Sequence, residues 1–242
     1  MGISVAAVGA AILVWTTFVA AEEATSKPQS VYEQLLVLFP DLGLQAEDIS
    51  DSPVPGMLQV KVGSQLVYVS EDGRYMFQGD VYDLHNGVRN LRDNVRIDLM
   101  ASLPEDSMLV YGPDDAAHTV TVFTDIDCPY CRKFHREMAD YNERSIRVRY
   151  LFFPRSGPDT PSWLKAEGVW CANDRLDAMT RAKQGEEIAK PARCGTTPVE
   201  KHYLLGKAAG ISGTPAIITE SGQLLGGYMA ADDLAQGLAT DN

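Results

Sequence analysis

The spacing of apolar positions changes several times along the chain, and each change predicts a different kind of element. Residues 3–21 (ISVAAVGAAILVWTTFVAA) carry no charge and end in Val19-Ala20-Ala21 before Glu22-Glu23. Small residues at Val19 and Ala21 predict an export signal cleaved after Ala21; an uncleaved anchor is the alternative, since such a run nearly spans a bilayer. Ser30-Val31-Tyr32-Glu33 has the form of a capping box, and Val31, Leu35 and Leu38 recur at helical spacing, so a short helix is predicted from Ser30 to near Pro40. From Gly56 the period becomes two. Strands are predicted at Met57–Val62, Gln65–Val69 and Arg74–Gln78, with turns at Gly63-Ser64 and Asp72-Gly73. Leu91, Val95, Leu99 and Leu103 then fall four apart in a charged stretch, which predicts one helix with a single apolar stripe, a rigid connector ended by Pro104.

Beyond residue 105 strands and helices alternate. Strands are predicted at Met108–Tyr111, His118–Thr124 (HTVTVFT) and Arg147–Phe153 (RVRYLFF), with a helix over Arg132–Tyr141 between the last two. Helices follow at Trp163–Asn173, Arg175–Lys183 and Val199–Ala209, then a hairpin of Ala216–Thr219 with Gln223–Leu225, and a last helix at Ala231–Leu238. The chain thus divides into residues 1–21 (signal), 22–88, a connecting helix over 89–105, and 106–242. The first module, one helix and a few strands over about sixty residues, has a thin core that gains by pairing with a second copy.

Composition narrows the field. The chain has 242 residues, 45% hydrophobic and 22% charged, as in an ordinary globular protein, and its net charge of −12 argues against nucleic acid or an anionic membrane surface as a partner. An exported chain with four cysteines is expected to hold two pairs. Cys128 and Cys131 are local partners, which leaves Cys171 with Cys194 as a structural bridge.

The chemistry concentrates at Cys128-Pro129-Tyr130-Cys131, a C-x-x-C between a predicted strand and a predicted helix. If Cys128 caps the helix, unpaired N–H groups and the positive end of the macrodipole favour its thiolate, making it the attacking sulfur. Pro129 suits the first helical position, where its missing N–H costs nothing. Cys131, one turn on and less open to solvent, is then the resolving thiol. A structural disulfide or half of a zinc site are the alternatives; zinc needs two more ligands at short spacing, which Cys171 and Cys194 do not offer. Tyr130 is expected to shape the substrate-binding surface near the sulfur. Asp125 and Asp127 are expected to be loop and strand-end residues, since a carboxylate beside the sulfur would raise its pKa, and His135 is expected at the surface.

A C-x-x-C after a strand, followed much later by Gly213-Thr214-Pro215 opening another, resembles the thioredoxin fold. The resemblance implies that Pro215 is cis and that Thr214 offers its backbone to an extended substrate beside Cys128. The match goes further. VTVFTDIDCPYCRKFHREMADYN, RVRYLFFPRSG, Trp170-Cys171 and Gly213-Thr214-Pro215-Ala216, with Pro55-Gly56-Met57, Glu71-Asp72-Gly73 and Gln78-Gly79, are similar to the DsbC family of bacterial periplasmic disulfide isomerases. The fold class expected is α/β (α+β): a C-terminal thioredoxin-like domain with a helical insertion, and a small N-terminal α+β dimerisation domain joined by a linker helix.

The resemblance implies a V-shaped homodimer in the periplasm whose cleft binds misfolded exported proteins, with chaperone activity, kept reduced by a membrane thiol reductase of the DsbD type. It assigns Cys128 and Cys131 as the catalytic pair and Cys171 with Cys194 as the structural disulfide, and it implies no metal or organic cofactor. One departure stands out: the family usually has glycine where this chain has Pro129, and Cys-Pro-Tyr-Cys is closer to the DsbG relatives. The alternative is therefore a DsbG-like reductase of oxidised single cysteines, or a dithiol oxidase.

Overall fold

In the computed structural model, residues 27–62, 65–85, 88–188 and 194–241 are described; the predicted signal at 1–21 and the predicted Gly63-Ser64 turn lie outside them. Helix α1 (Lys27–Leu38) begins three residues before the predicted cap. Pro28 sits in its first turn, where proline is tolerated, so Ser30 lies inside the helix and not at its cap. Strands β1 (Ile49–Asp51), β2 (Met57–Val62), β3 (Gln65–Ser70) and β4 (Met76–Gln78) form an antiparallel sheet in that order. Val31 and Leu35 of α1 pack with Leu58, Val60, Val67 and Val69, the alternate residues of β2 and β3, as period-two strands require. A two-stranded ribbon, β5 (Tyr82–Asp83) with β6 (Arg89–Asn90), leads into α2 (Arg92–Ala101).

The connecting helix departs from its expected form. Its buried residues are Asp93, Arg96 and Met100, while Leu91, Val95 and Leu99 are only half-buried. Arg96 donates to Asp93 Oδ1 at 2.7 Å and to the Ala209 carbonyl at 3.0 Å, and Met100 and Leu103 join the core of the second module. Gly222, at φ +83, abuts the Asp93 backbone, where a Cβ would overlap the Asp93 carbonyl oxygen. The helix is therefore a seat against the second module, held by polar groups, and not a free-standing rod with an apolar stripe.

The second sheet runs β11-β10-β8-β9-β7, from β7 (Leu109–Tyr111), β8 (His118–Thr124), β9 (Ile146–Phe152), β10 (Ala216–Ile218) and β11 (Leu224–Gly226). β8 and β9 are parallel, His118 opposite Ile146 through Thr124 opposite Phe152, and the other pairs are antiparallel. Successive residues feed opposite cores: Val120, Val122, Val148, Tyr150, Phe152 and Ile217 on one face, Phe123, Leu151, Ala216 and Ile218 on the other.

The helix expected over Arg132–Tyr141 is two helices, α3 (Pro129–Arg136) and α4 (Met138–Glu143), broken at Glu137 (φ −98°, ψ 17°). No glycine or proline marks the break. It leaves Phe134 and Tyr141 stacked in the core with ring centroids 4.2 Å apart. Helices α5 (Pro161–Trp170) and α6 (Arg175–Gln184) form the insertion after β9, and α7 (Val199–Ala208) and α8 (Ala231–Thr240) complete the module.

Candidate active site

β8 ends at Thr124, and four residues later Cys128, in extended backbone (φ −76°, ψ 122°), is the N-cap of α3 with Pro129 at its first positions. Proline brings a helical φ and no N–H to satisfy, so the chain turns into the helix immediately after the sulfur. The Thr214–Pro215 peptide bond is cis. Cys128 Sγ donates to the Thr214 carbonyl at 3.2 Å, which joins two segments 86 residues apart. Thr214 Oγ1 is buried with no hydrogen-bond partner among the described residues, leaving it available to a thiolate.

Exposure does not separate the thiols as expected: Cys128 is 1% and Cys131 0% exposed, and both are free. Their acidities separate them. The Cys128 pKa falls to about 5, first because Cys131 donates to it, then through Thr214 and the Cys131 backbone N–H, with the Arg155 guanidinium adding attraction. The Cys131 pKa moves up, chiefly by burial and also because a thiolate at Cys128 disfavours a second one. The bond to the Thr214 carbonyl is thus made by the protonated Cys128; at neutral pH Cys128 is a thiolate that accepts from Cys131, and Cys131 remains a thiol. Tyr130 is 63% exposed on the first turn beside the nucleophile.

The surface position expected for His135 is overturned. Asp125 lies directly after β8, at the strand end where it was expected, but it is 3% exposed, and its carboxylate accepts from Ser162 Oγ (2.6 Å), the Asp127 N–H (2.9 Å), and the Arg155 N–H (3.1 Å) and Nε (3.0 Å). Burial alone would raise its pKa, but these donors together bring it below the ordinary value. The carboxylate is thus spent on bracing the loop and on fixing Arg155 near the thiols. His135 is also buried, bonded through Nε2 to Thr180 Oγ1 at 3.1 Å; burial, then nearby Lys183, lowers its pKa to about 4, so it is neutral at physiological pH. The burial of Asp125 and of His135 has one cause: α5 and α6 cover a side of the centre that local spacing leaves open. Asp127 is half-buried between Arg132 (3.2 Å) and Lys165 (2.7 Å).

Arg155, Ser162 and Lys183 were not singled out by sequence reasoning. For Lys183 a signal existed, since it falls on the stripe of Ala178, Met179 and Ala182 in α6. Cys171, the C-cap of α5, is bonded to Cys194, 23 residues away with Cα atoms 5.6 Å apart. Closing a loop of that length contributes about 3 kcal/mol. Among the described residues no group of three or more His, Cys, Asp or Glu is placed to hold a metal ion.

Comparison with known proteins covers both modules. Residues 106–240 match the thioredoxin-like domain family, and residues 18–93 match the family described as the disulfide bond isomerase protein N-terminal domain. The thiol:disulfide interchange protein DsbC of Dickeya dadantii is 38% identical over 197 residues, covering 80% of each chain. DsbC of Salmonella typhimurium is 40% identical over 194 residues, 80% of this chain and 81% of that protein. A solved linker-deletion variant of ScsC from Proteus mirabilis shares the fold, with a TM-score of 0.50 and 20% identity over 62% of this chain and 83% of its own. With both modules matched, and this level of identity sustained over four-fifths of the length, the chain belongs to the DsbC family of thiol:disulfide interchange proteins.

Proposed function

We propose that this protein rearranges incorrect disulfides in exported proteins of a bacterial periplasm, with Cys128 as nucleophile and Cys131 as resolving thiol. The observation that carries the reading is the placement of Cys128 at the N-cap of α3, with its sulfur 3.2 Å from the Thr214 carbonyl and Cys131 one turn on, an arrangement in which the Cys128 pKa is lowered to about 5 and that of Cys131 is raised. Cys128 thiolate attacks a wrong disulfide, forming a mixed disulfide and freeing a substrate thiol. If that thiol attacks another disulfide of the substrate, it frees a different substrate thiolate, which attacks the substrate sulfur of the mixed disulfide, so that a new substrate disulfide forms and Cys128 leaves as thiolate; if no substrate thiolate does so, Cys131 attacks Cys128 Sγ and the substrate departs reduced. A stabilised Cys128 thiolate favours the reduced pair over its disulfide, so the centre is readily kept reduced, as an isomerase requires. The electron donor in this reading is a membrane thiol reductase of the DsbD type.

Substrate docks as an extended segment beside Thr214 and Pro215, with Tyr130 lining the approach. The active form is a homodimer with chaperone activity toward misfolded chains, paired through the N-terminal module. There Tyr75 and, in the edge strand β4 that follows it, Met76 and Phe77 are 59%, 55% and 49% exposed, an apolar edge that monomers usually blunt. The Pro129 departure favours a second reading, a DsbG-like reductase. One experiment separates them: reactivation of a scrambled multi-disulfide protein by the reduced enzyme from Glu22 onward, beside Cys128→Ala and Cys131→Ala. Isomerisation requires recovery with wild type and none with Cys128→Ala. No recovery with wild type, together with rapid reduction of sulfenylated substrates, establishes the second reading.

A further inference from the structure

Lys183 is 4% exposed, and its ammonium is a buried charged group that the proposed cycle leaves without a task. Nζ donates to Thr124 Oγ1 at 2.6 Å and to the Asp125 carbonyl at 3.0 Å. That same carbonyl accepts the Cys128 N–H at 3.2 Å, so the amine stands one peptide group from the backbone of the nucleophile. Helix geometry brings it to the second sulfur as well. His135 of α3 bonds to Thr180 of α6; Cys131 lies four residues before His135 and Lys183 three after Thr180, so the two belong to the same pair of facing helix surfaces.

A buried ammonium is costly unless something balances it. Among the described residues no carboxylate lies within ion-pair distance of Lys183. The Asp125 carboxylate is the nearest candidate, and it is held by Ser162 and Arg155. The other groups facing the amine are Arg132 and His135 on α3, Tyr150 on β9 (5.8 Å to the ring centroid), and the two cysteines. Arg132 is cationic and His135 neutral, so the sulfurs are the groups here whose negative charge the amine can balance, Cys128 as the resting thiolate and Cys131 when it attacks. A cavity of roughly 710 Å³, lined by Tyr111, Arg132, His135, Thr180 and Lys183 and by no carboxylate, adjoins the amine.

We infer that Lys183 is the buried counter-charge of the resolving thiol, a positioning residue that stabilises the Cys131 thiolate during attack on the mixed disulfide. The inference rests on the thiol–disulfide cycle proposed above. In the step concerned, Cys131 loses its proton to solvent and its sulfur forms a bond to Cys128 Sγ. The Cys128–substrate S–S bond breaks, and the substrate sulfur leaves with that electron pair and takes a proton from solvent. Two enzyme sulfurs end as a disulfide and the substrate sulfur ends as a thiol, so no outside oxidant is involved. Burial lowers the Lys183 pKa to about 8, and thiolate at Cys131 or Cys128 opposes that shift, which is the reciprocal of the stabilisation assigned here.

The test mixes reduced enzyme with one equivalent of dithiobis(nitrobenzoate) and follows the coloured thiol by stopped flow: the first release reports attack by Cys128, the second resolution by Cys131. If removing the cation raises the Cys131 pKa by about two units, the hundredfold loss of thiolate is offset about tenfold by greater intrinsic nucleophilicity. Lys183→Met should therefore slow the second release about tenfold relative to the first and move its pH profile upward, and Lys183→Arg should restore most of the rate. An unchanged ratio of the two releases in Lys183→Met overturns the inference, whereas absence of the first release in wild type overturns the cycle itself. A second substitution covers the case in which Lys183→Met does not fold. Lys183→Gln keeps a hydrogen-bond donor toward Thr124 and the Asp125 carbonyl but carries no charge, and it should slow the second release relative to the first in the same way; an unchanged ratio there also refutes the inference.

Discussion

Cys131→Ala should make Cys128 a weaker acid even though it leaves Cys128 itself untouched, because the largest single influence on Cys128 is the hydrogen bond that Cys131 donates to it. A hydrogen bond to a charged group is worth about 1.5–3 kcal/mol, or roughly one to two pKa units at 1.36 kcal/mol each. The thiol is a weak donor, so the lower end applies. From a starting value of about 5, the variant should titrate near 6, because Thr214, the helix end and Arg155 remain in place. Cys131→Ser, whose hydroxyl still donates, should hold Cys128 at or below the wild-type value. The assay is the rate of iodoacetamide alkylation between pH 4 and 9, with mass spectrometry to confirm that Cys128 carries the label. Near pH 6 the thiolate fraction of Cys131→Ala drops to about half, against about nine-tenths in wild type. Titration of Cys131→Ala at the wild-type pH would refute the hydrogen bond as the principal cause. A value back in the free-cysteine range would instead refute the contributions of Thr214 and the helix end.

Arg96→Met strips the partner from Asp93, which is 7% exposed, and should cost about 3–5 kcal/mol in urea unfolding at pH 7. The Asp93 pKa is already raised, by burial first with Arg96 opposing; losing Arg96 raises it further, so the variant's deficit grows as pH rises through that value and closes on acidification while pH is still above 3.8. Asp125→Asn turns an amide toward the Arg155 N–H and Nε donors and should cost about 3 kcal/mol, the half-exposed guanidinium being discounted. Because the Asp125 pKa is lowered, the stability it contributes is fully present above pH 3.8 and is lost as pH falls below it, so this deficit closes only in that lower window; relief at pH 5 would contradict the bonding around Asp125. Paired Met76→Lys and Phe77→Lys substitutions on β4 should leave folding intact and convert a dimer to a monomer in sedimentation equilibrium; an unchanged dimer mass would move the interface elsewhere.

Local patterns carried much of this molecule. The strand at His118–Thr124 is observed with the expected bounds, because its alternation of apolar and polar positions feeds two cores directly. The Cys128 cap followed by Pro129 is legible for a similar reason: the cap needs only a non-helical residue and the next position only a fixed φ. The Cys171–Cys194 bond follows from pairing arithmetic, once Cys128 and Cys131 are taken as local partners. Glu137 lies at the other extreme, since its neighbours contain no breaker and the break there shows only in the packed backbone.

The remaining surprises share a physical origin. The chain's own chemistry was sufficient to specify which thiols pair, which helix carries them and what kind of fold surrounds them, because backbone propensity and periodicity act over one or two turns. Burial and counter-charge act across segments far apart in sequence. Asp125 meets Arg155 and Ser162 at separations of 30 and 37 residues, Lys183 meets Thr124 at 59, and Arg96 meets Ala209 at 113. Each of these polar residues reads as solvated until another element desolvates it and supplies its partner. Packing alone could therefore decide that the charge tuning the thiols comes from an inserted helix and that the connecting helix is seated by an arginine.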